Sequence, residues 1–138
     1  MRVETLNVLV SGAIWRAEQL DELGLDSAAS AWSEVSKLEE EIAKLVPAKE
    51  AEGRIARRGA VRAALKANDH ARARELADRY ATENGVPRAL RSDLRDILKA
   101  DADELSQEFP FVAKHYKPND IRKLANRLQE WGPFNLVA

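Results

Sequence analysis

The stretch GRIARRGAVRAALKANDHARAR, Gly53 to Arg74, decides the fold. Its apolar residues do not alternate with polar ones, as a half-buried strand requires; they recur at helical spacing. Ile55, Val61 and Leu65 supply bulk, while Ala56, Ala60, Ala63, Ala64 and Ala67 leave room for a neighbouring helix to come close. Asn68-Asp69 then interrupts the pattern with residues that favour turns and helix N-caps. Ala73, Leu76, Ala77 and Tyr80 restart it, and Asn84-Gly85 ends it. The stretch therefore predicts two helices joined by a minimal turn, a hairpin of the kind from which all-α domains are built.

Hairpins of the same kind extend in both directions. Toward the N-terminus, Leu6, Val10, Ala13, Ala17 and Leu20 predict a first helix over 4–23, closed by Gly24. Asp26 or Ser27 is placed to cap a second helix over 27–46, with Ala28, Ala31, Trp32, Val35, Leu38, Ile42 and Leu45 on one side and Pro47 as its stop. PAKEAEG, 47–53, reads as a loop or a frayed helix start. Toward the C-terminus, Pro87 suits a first helical position. Leu90, Leu94, Ile97, Leu98, Leu105 and Phe109 predict a long helix over 87–109 that continues unless Asp101-Ala102-Asp103 breaks it. Ile121, Leu124, Leu128 and Trp131 predict a last helix over 119–131, followed by the apolar tail 132–138, which either docks on its own domain or anchors another chain.

Composition agrees with one folded unit. With 138 residues, 45% hydrophobic and 33% charged, the chain has enough apolar surface for a single core and lies away from disordered compositions. Much of the apolar share is alanine, the strongest helix former. The expected fold is thus a single all-α domain, 1–138, of five or six helices in antiparallel hairpins, forming a bundle or a short repeat-like array. No apolar run is long enough to span a bilayer. The absence of cysteine excludes disulfides and thiolate chemistry and fits a cytoplasmic protein.

Two turns echo each other. Gly24-Leu-Asp-Ser-Ala-Ala29 and Asn68-Asp-His-Ala-Arg-Ala73 lie 44 residues apart, and each places a small residue early in the following helix. Over residues 5–85 this resembles the helical hairpins of tetratricopeptide-like repeats. The resemblance implies a non-catalytic scaffold that holds partners, and it assigns no binding residue.

The residues that carry chemistry are mostly missing. No phosphate-cradling glycine loop or dinucleotide fingerprint is present, since Gly53 and Gly59 lie inside a helical pattern. The two histidines, His70 and His115, have no carboxylate at metal-ligand spacing, so no metal or cofactor is expected. His70 reads as an exposed residue of a first helical turn, and Asp101-Ala102-Asp103-Glu104 as a solvated face. Trp32 and Trp131 belong to apolar faces, whereas Trp15 lies off the main apolar face of its helix. No enzymatic activity is predicted.

Charge is the remaining signal. Residues 1–50 carry 5 basic and 10 acidic side chains, residues 51–100 carry 12 and 7, and residues 101–138 carry 5 and 6, so -5, +5 and -1 give the overall -1. Arg54, Arg58, Arg62 and Lys66 recur every four residues as one helical stripe, with Arg57 beside it and Arg72 and Arg74 across the turn. These seven are the predicted partner-binding residues. The expected role is an adaptor or accessory subunit that presents them to an acidic surface of another protein. The alternative is a small helical subunit that contacts the backbone of RNA or DNA. Against the alternative stand the pI near 6.2, the lack of aromatics among the arginines, and Glu39, Glu40 and Glu41, which are placed to neutralise the stripe from the second helix.

Overall fold

The computed structural model describes residues 2–108, and within them the chain is all helical. The helices are α1 (Val3–Glu22), α2 (Ser27–Leu45), α3 (Ala51–Lys66), α4 (His70–Ala81) and α5 (Arg88–Glu108). The last helix and the apolar tail expected from the sequence lie outside the described residues. Each expected boundary is met within a few residues, and α5 runs unbroken through Asp101-Ala102-Asp103.

The helices stack in chain order, α1 on α2, α2 on α3 and α3 on α4, while α5 packs across α3 and α4. α3 is thus the central element. Ala60, Ala64 and Val61 on α3 are fully buried, and Ala56 and Ala63 nearly so, against Trp32, Val35 and Ile42 of α2 and against Ala73, Leu76, Leu90 and Leu94 of α4 and α5. Alanine at these positions lets the α3 backbone approach three neighbours at once. The closest approach is at Gly53, where a Cβ would stand 2.0 Å from the Pro47 carbonyl oxygen. Only glycine fits beneath the α2–α3 turn.

The two echoing turns share one construction. At the end of α1, Gly24 has φ +65°, its N–H bonds to Asp21 O, and the Leu25 N–H bonds to Leu20 O. At the end of α3, Asn68 has φ +60°, its N–H bonds to Leu65 O, and the Asp69 N–H bonds to Ala64 O. Both are Schellman closures, in which a left-handed residue turns the chain and satisfies the last free carbonyls. The starts of the second helices differ. Asp69 caps α4 by accepting from the Arg72 N–H at 3.1 Å. Asp26 makes no such bond at α2, where the Ala28 N–H closes on Leu25 O instead.

Four sequence expectations about side chains are corrected. Leu45, expected on the apolar side of α2, is 52% exposed. Ile55 is 58% exposed rather than a core residue. His70 is buried, because it lies in phase with Ala73, Ala77 and Tyr80 on the inner face of α4. Its Nδ1 pairs with Asp101 Oδ2 of α5 at 3.0 Å. Asp101 is therefore an interhelix partner, and the pairing accounts for a helix that continues through an acidic cluster.

Candidate interaction surfaces

The basic stretch is largely tied into the fold. Arg57 is buried: its guanidinium donates to Val46 O and Gly53 O at 2.9 Å and to Ala43 O at 3.1 Å, and it bonds Glu83 at 3.1 Å. The carbonyls of Ala43 and Val46 are those left free at the end of α2, so Arg57 acts as a C-terminal cap reaching across from α3. The same guanidinium lies 5.4 Å from the Tyr80 ring centre. A role in partner contact would require it to leave five hydrogen bonds, and Arg57 holds three helices together instead.

The other six predicted residues are distributed. Arg54 donates to Ala48 O and Lys49 O in the α2–α3 turn. Arg58 reaches Asp93 of α5 at 3.4 Å. Arg72 bonds Glu40 at 2.8 Å and Ser36 Oγ at 3.0 Å, and Arg79 bonds the other oxygen of Glu40 at 3.0 Å. Burial disfavours the Glu40 carboxylate, but the hydrogen bonds and charges of Arg72 and Arg79 outweigh it and hold its pKa below the ordinary value. Arg74 stands 4.0 Å from Asp78 one turn on. Lys66 lies over the Trp32 ring at 4.3 Å, and Arg62 is exposed. The stripe is thus brought onto α3 as expected, but only Arg62 and Lys66 present their charge outward, at the mouth of a cleft of about 270 Å³ between α3 and α5 that Asp101 and Glu104 also line.

The acidic triplet of α2 divides its work. Glu40 is the arginine partner, Glu41 pairs locally with Lys44, and Glu39 enters the α2–α3 interface. The Glu39 carboxyl sits over Gly59, where a Cβ would meet its Cδ at 2.9 Å. Burial pushes its pKa up from 4.5 to about 7. Its position is legible in hindsight, since residue 39 is in phase with Trp32, Val35 and Ile42 on the buried side of α2.

The His70–Asp101 pair lies inside the fold, between α4 and α5. Both side chains are about nine-tenths buried. Among the described residues no group of three or more His, Cys, Asp or Glu side chains is placed to hold a metal ion, and no helix is long and apolar enough to cross a membrane.

A scan against protein-family models and searches of curated proteins and of solved structures find no match for this chain.

Among the described residues, α1 leaves two large apolar side chains open on one side. The helix packs along α2 through Leu6, Val10 and Ala17, with Asn7 reaching Glu52 of α3 at 2.7 Å. Its opposite side leaves Val8 73% and Trp15 65% exposed, with Leu9 at the edge of the same face. Gly12 lies between them, and a Cβ there would meet no atom within 4 Å. A helix that buries one apolar side against its domain ordinarily turns charge to the other. α1 departs from that rule, and the signal in the sequence is the position of Trp15 off the inner face.

Proposed function

We propose that this protein is a non-catalytic protein–protein interaction module, an adaptor or accessory subunit, and that its principal contact face is the outer side of α1. The observation that carries the proposal is the pair Val8 and Trp15, held outward around Gly12 on a helix whose other side is fully engaged with α2. Exposed contiguous apolar side chains with a central aromatic are the composition of an interface core, and rigid presentation on a helix lowers the ordering cost of binding. The cysteine-free chain is placed in the cytoplasm as part of the same proposal.

A nucleic-acid role has less to draw on. Phosphate binding scales with the number of cations free to displace counterions. Here Arg57, Arg58 and Arg72 already have carboxylate partners, and Arg54 is taken by carbonyls.

The test is co-purification of tagged protein from its native host, with and without nuclease, beside a Trp15→Glu variant. A protein that is retained after nuclease and lost with Trp15→Glu supports the role. Retention that disappears with nuclease, or falls steeply between about 50 and 200 mM salt as phosphate contacts do, overturns it in favour of nucleic acid.

A further inference from the structure

α5 carries a second row of cations. Arg88, Arg91, Arg95 and Lys99 follow one another at spacings of 3, 4 and 4, so they share one side of the helix over about 17 Å. All four are exposed, whereas Leu90 and Leu94 on the inner side are buried. Arg54, Arg57, Arg58 and Arg72 are taken up by carboxylates and carbonyls of the fold. The side chains of the α5 row make no ion pair or hydrogen bond with any described residue.

Helix energetics do not account for this row. Like charges four residues apart repel, as Arg91 does Arg95 and Arg95 does Lys99. The first turn of α5 contains basic side chains and no acidic one, and its last turn contains no basic one. The charges therefore run against the helix dipole, whose N-terminal end favours anions and whose C-terminal end favours cations. A surface arranged for stability alone has the opposite order. A row that weakens its own helix and meets no partner within the described fold is explained by a partner outside it.

We infer that this row is a second contact face of the interaction module proposed above, and that it docks an acidic helical segment of another protein. The border of the row favours this partner over a phosphate backbone. Asp96 and Asp103, both exposed and without an ion pair among the described residues, stand along one side of it. A continuous polyanion laid on the row runs beside these carboxylates and is repelled by them. A protein helix can set carboxylates against the four cations and cations against Asp96 and Asp103, so the mixed face selects its partner by both attraction and repulsion. The uncharged residues beside the row are Ala89, Ser92 and Ala100, which offer neither a ring for base stacking nor a large apolar side chain for a lipid surface.

Four labelled probes test the inference on the full chain at about 50 mM salt, where exposed charges are only partly screened. They are a stapled helical peptide with glutamates along one face and lysines beside it, a peptide of the same composition with its charges scattered round the helix, a single-stranded RNA, and vesicles containing phosphatidylserine. Fluorescence anisotropy is expected to give a Kd below about 1 mM for the first peptide and one at least about fivefold weaker for the second. Arg95→Glu is expected to weaken the first peptide at least about fivefold and to leave the thermal midpoint unchanged or raised, because two repulsive pairs become attractive ones. A midpoint that falls shows that the row serves the fold and overturns the inference. So do equal affinities for the two peptides, no binding of the first up to about 1 mM, or RNA or vesicles held as tightly as the first peptide. The α1 role is tested apart from this one. A nuclease-resistant protein lost with Trp15→Glu supports that role whatever the peptides show, and its absence overturns that role without touching the peptide result.

Discussion

Glu39→Gln is expected to stabilise the protein at pH 8 and to do so far less at pH 5. The carboxyl is 8% exposed, packs over Gly59, and has no hydrogen-bond or ion-pair partner among the described residues. Burial raises its pKa from 4.5 to about 7. Between those values the native state holds a proton that the unfolded chain releases, so stability falls as pH rises through the window and is recovered as pH falls toward 4.5. At about 1.36 kcal/mol per pH unit, the gap sets an upper bound of about 3.4 kcal/mol for the penalty at pH 8. Glutamine keeps the shape and removes the charge. Urea unfolding of both proteins at pH 5, 6, 7 and 8, followed by tryptophan fluorescence, isolates the effect, because His70 and the paired carboxylates are common to both and cancel in the difference. A gain of about 2 kcal/mol or more at pH 8, shrinking to about 0.8 kcal/mol or less at pH 5, is the expected result. An equal effect at both ends of the range, or a loss at pH 8, would refute the picture of an unpaired buried carboxyl.

Four further substitutions test the packing and the turns. Gly53→Ala, which gains helix propensity in an open helix, is expected here to cost more than about 2 kcal/mol, because the new Cβ meets the Pro47 carbonyl oxygen and that backbone has to move; a rise in the urea midpoint would count against the close approach. The matched turns predict opposite signs: Gly24→Ala lowers stability by about 1 kcal/mol and Asn68→Gly raises it by a few tenths, both read as thermal midpoints, and an equal response of the two turns contradicts their shared left-handed closure. Tyr80 has a buried hydroxyl without a partner among the described residues and a pKa pushed by burial to about 12. Tyr80→Phe is therefore expected to be neutral or stabilising by up to about 1 kcal/mol, and a loss above about 1 kcal/mol by urea unfolding would mean that the hydroxyl is hydrogen-bonded.

The fold was legible because alanine spacing and turn residues are local signals. Asn68 and Gly24 take left-handed conformations for reasons contained in the residue itself, and Asp69 caps its own helix. The errors arise where a second helix decides. Asp101 looked solvated from its acidic neighbours, yet α4 brings His70 within 3.0 Å of it. Ile55 looked like core by its character, but its helix turns that side away from α2, α4 and α5. Whether a polar residue is buried depends on what lies opposite, and a period of 3.6 names the face without naming the neighbour.

The candidate site shows the same limit in the reverse direction. Clustered arginines suggest a partner because each is costly to bury alone. That cost falls when the fold supplies acceptors, and α2 supplies them twice: its terminal carbonyls take Arg57, and Glu40 takes Arg72 and Arg79. Of the seven basic residues, Arg57, Arg58 and Arg72 are consequently bridges from α3 and α4 to neighbouring parts of the fold. Opposed charge lies within the chain because the acidic excess of residues 1–50 includes the helix stacked on α3. On α1 the physics runs the other way. No part of the described chain answers Val8 and Trp15, so burying them requires another surface.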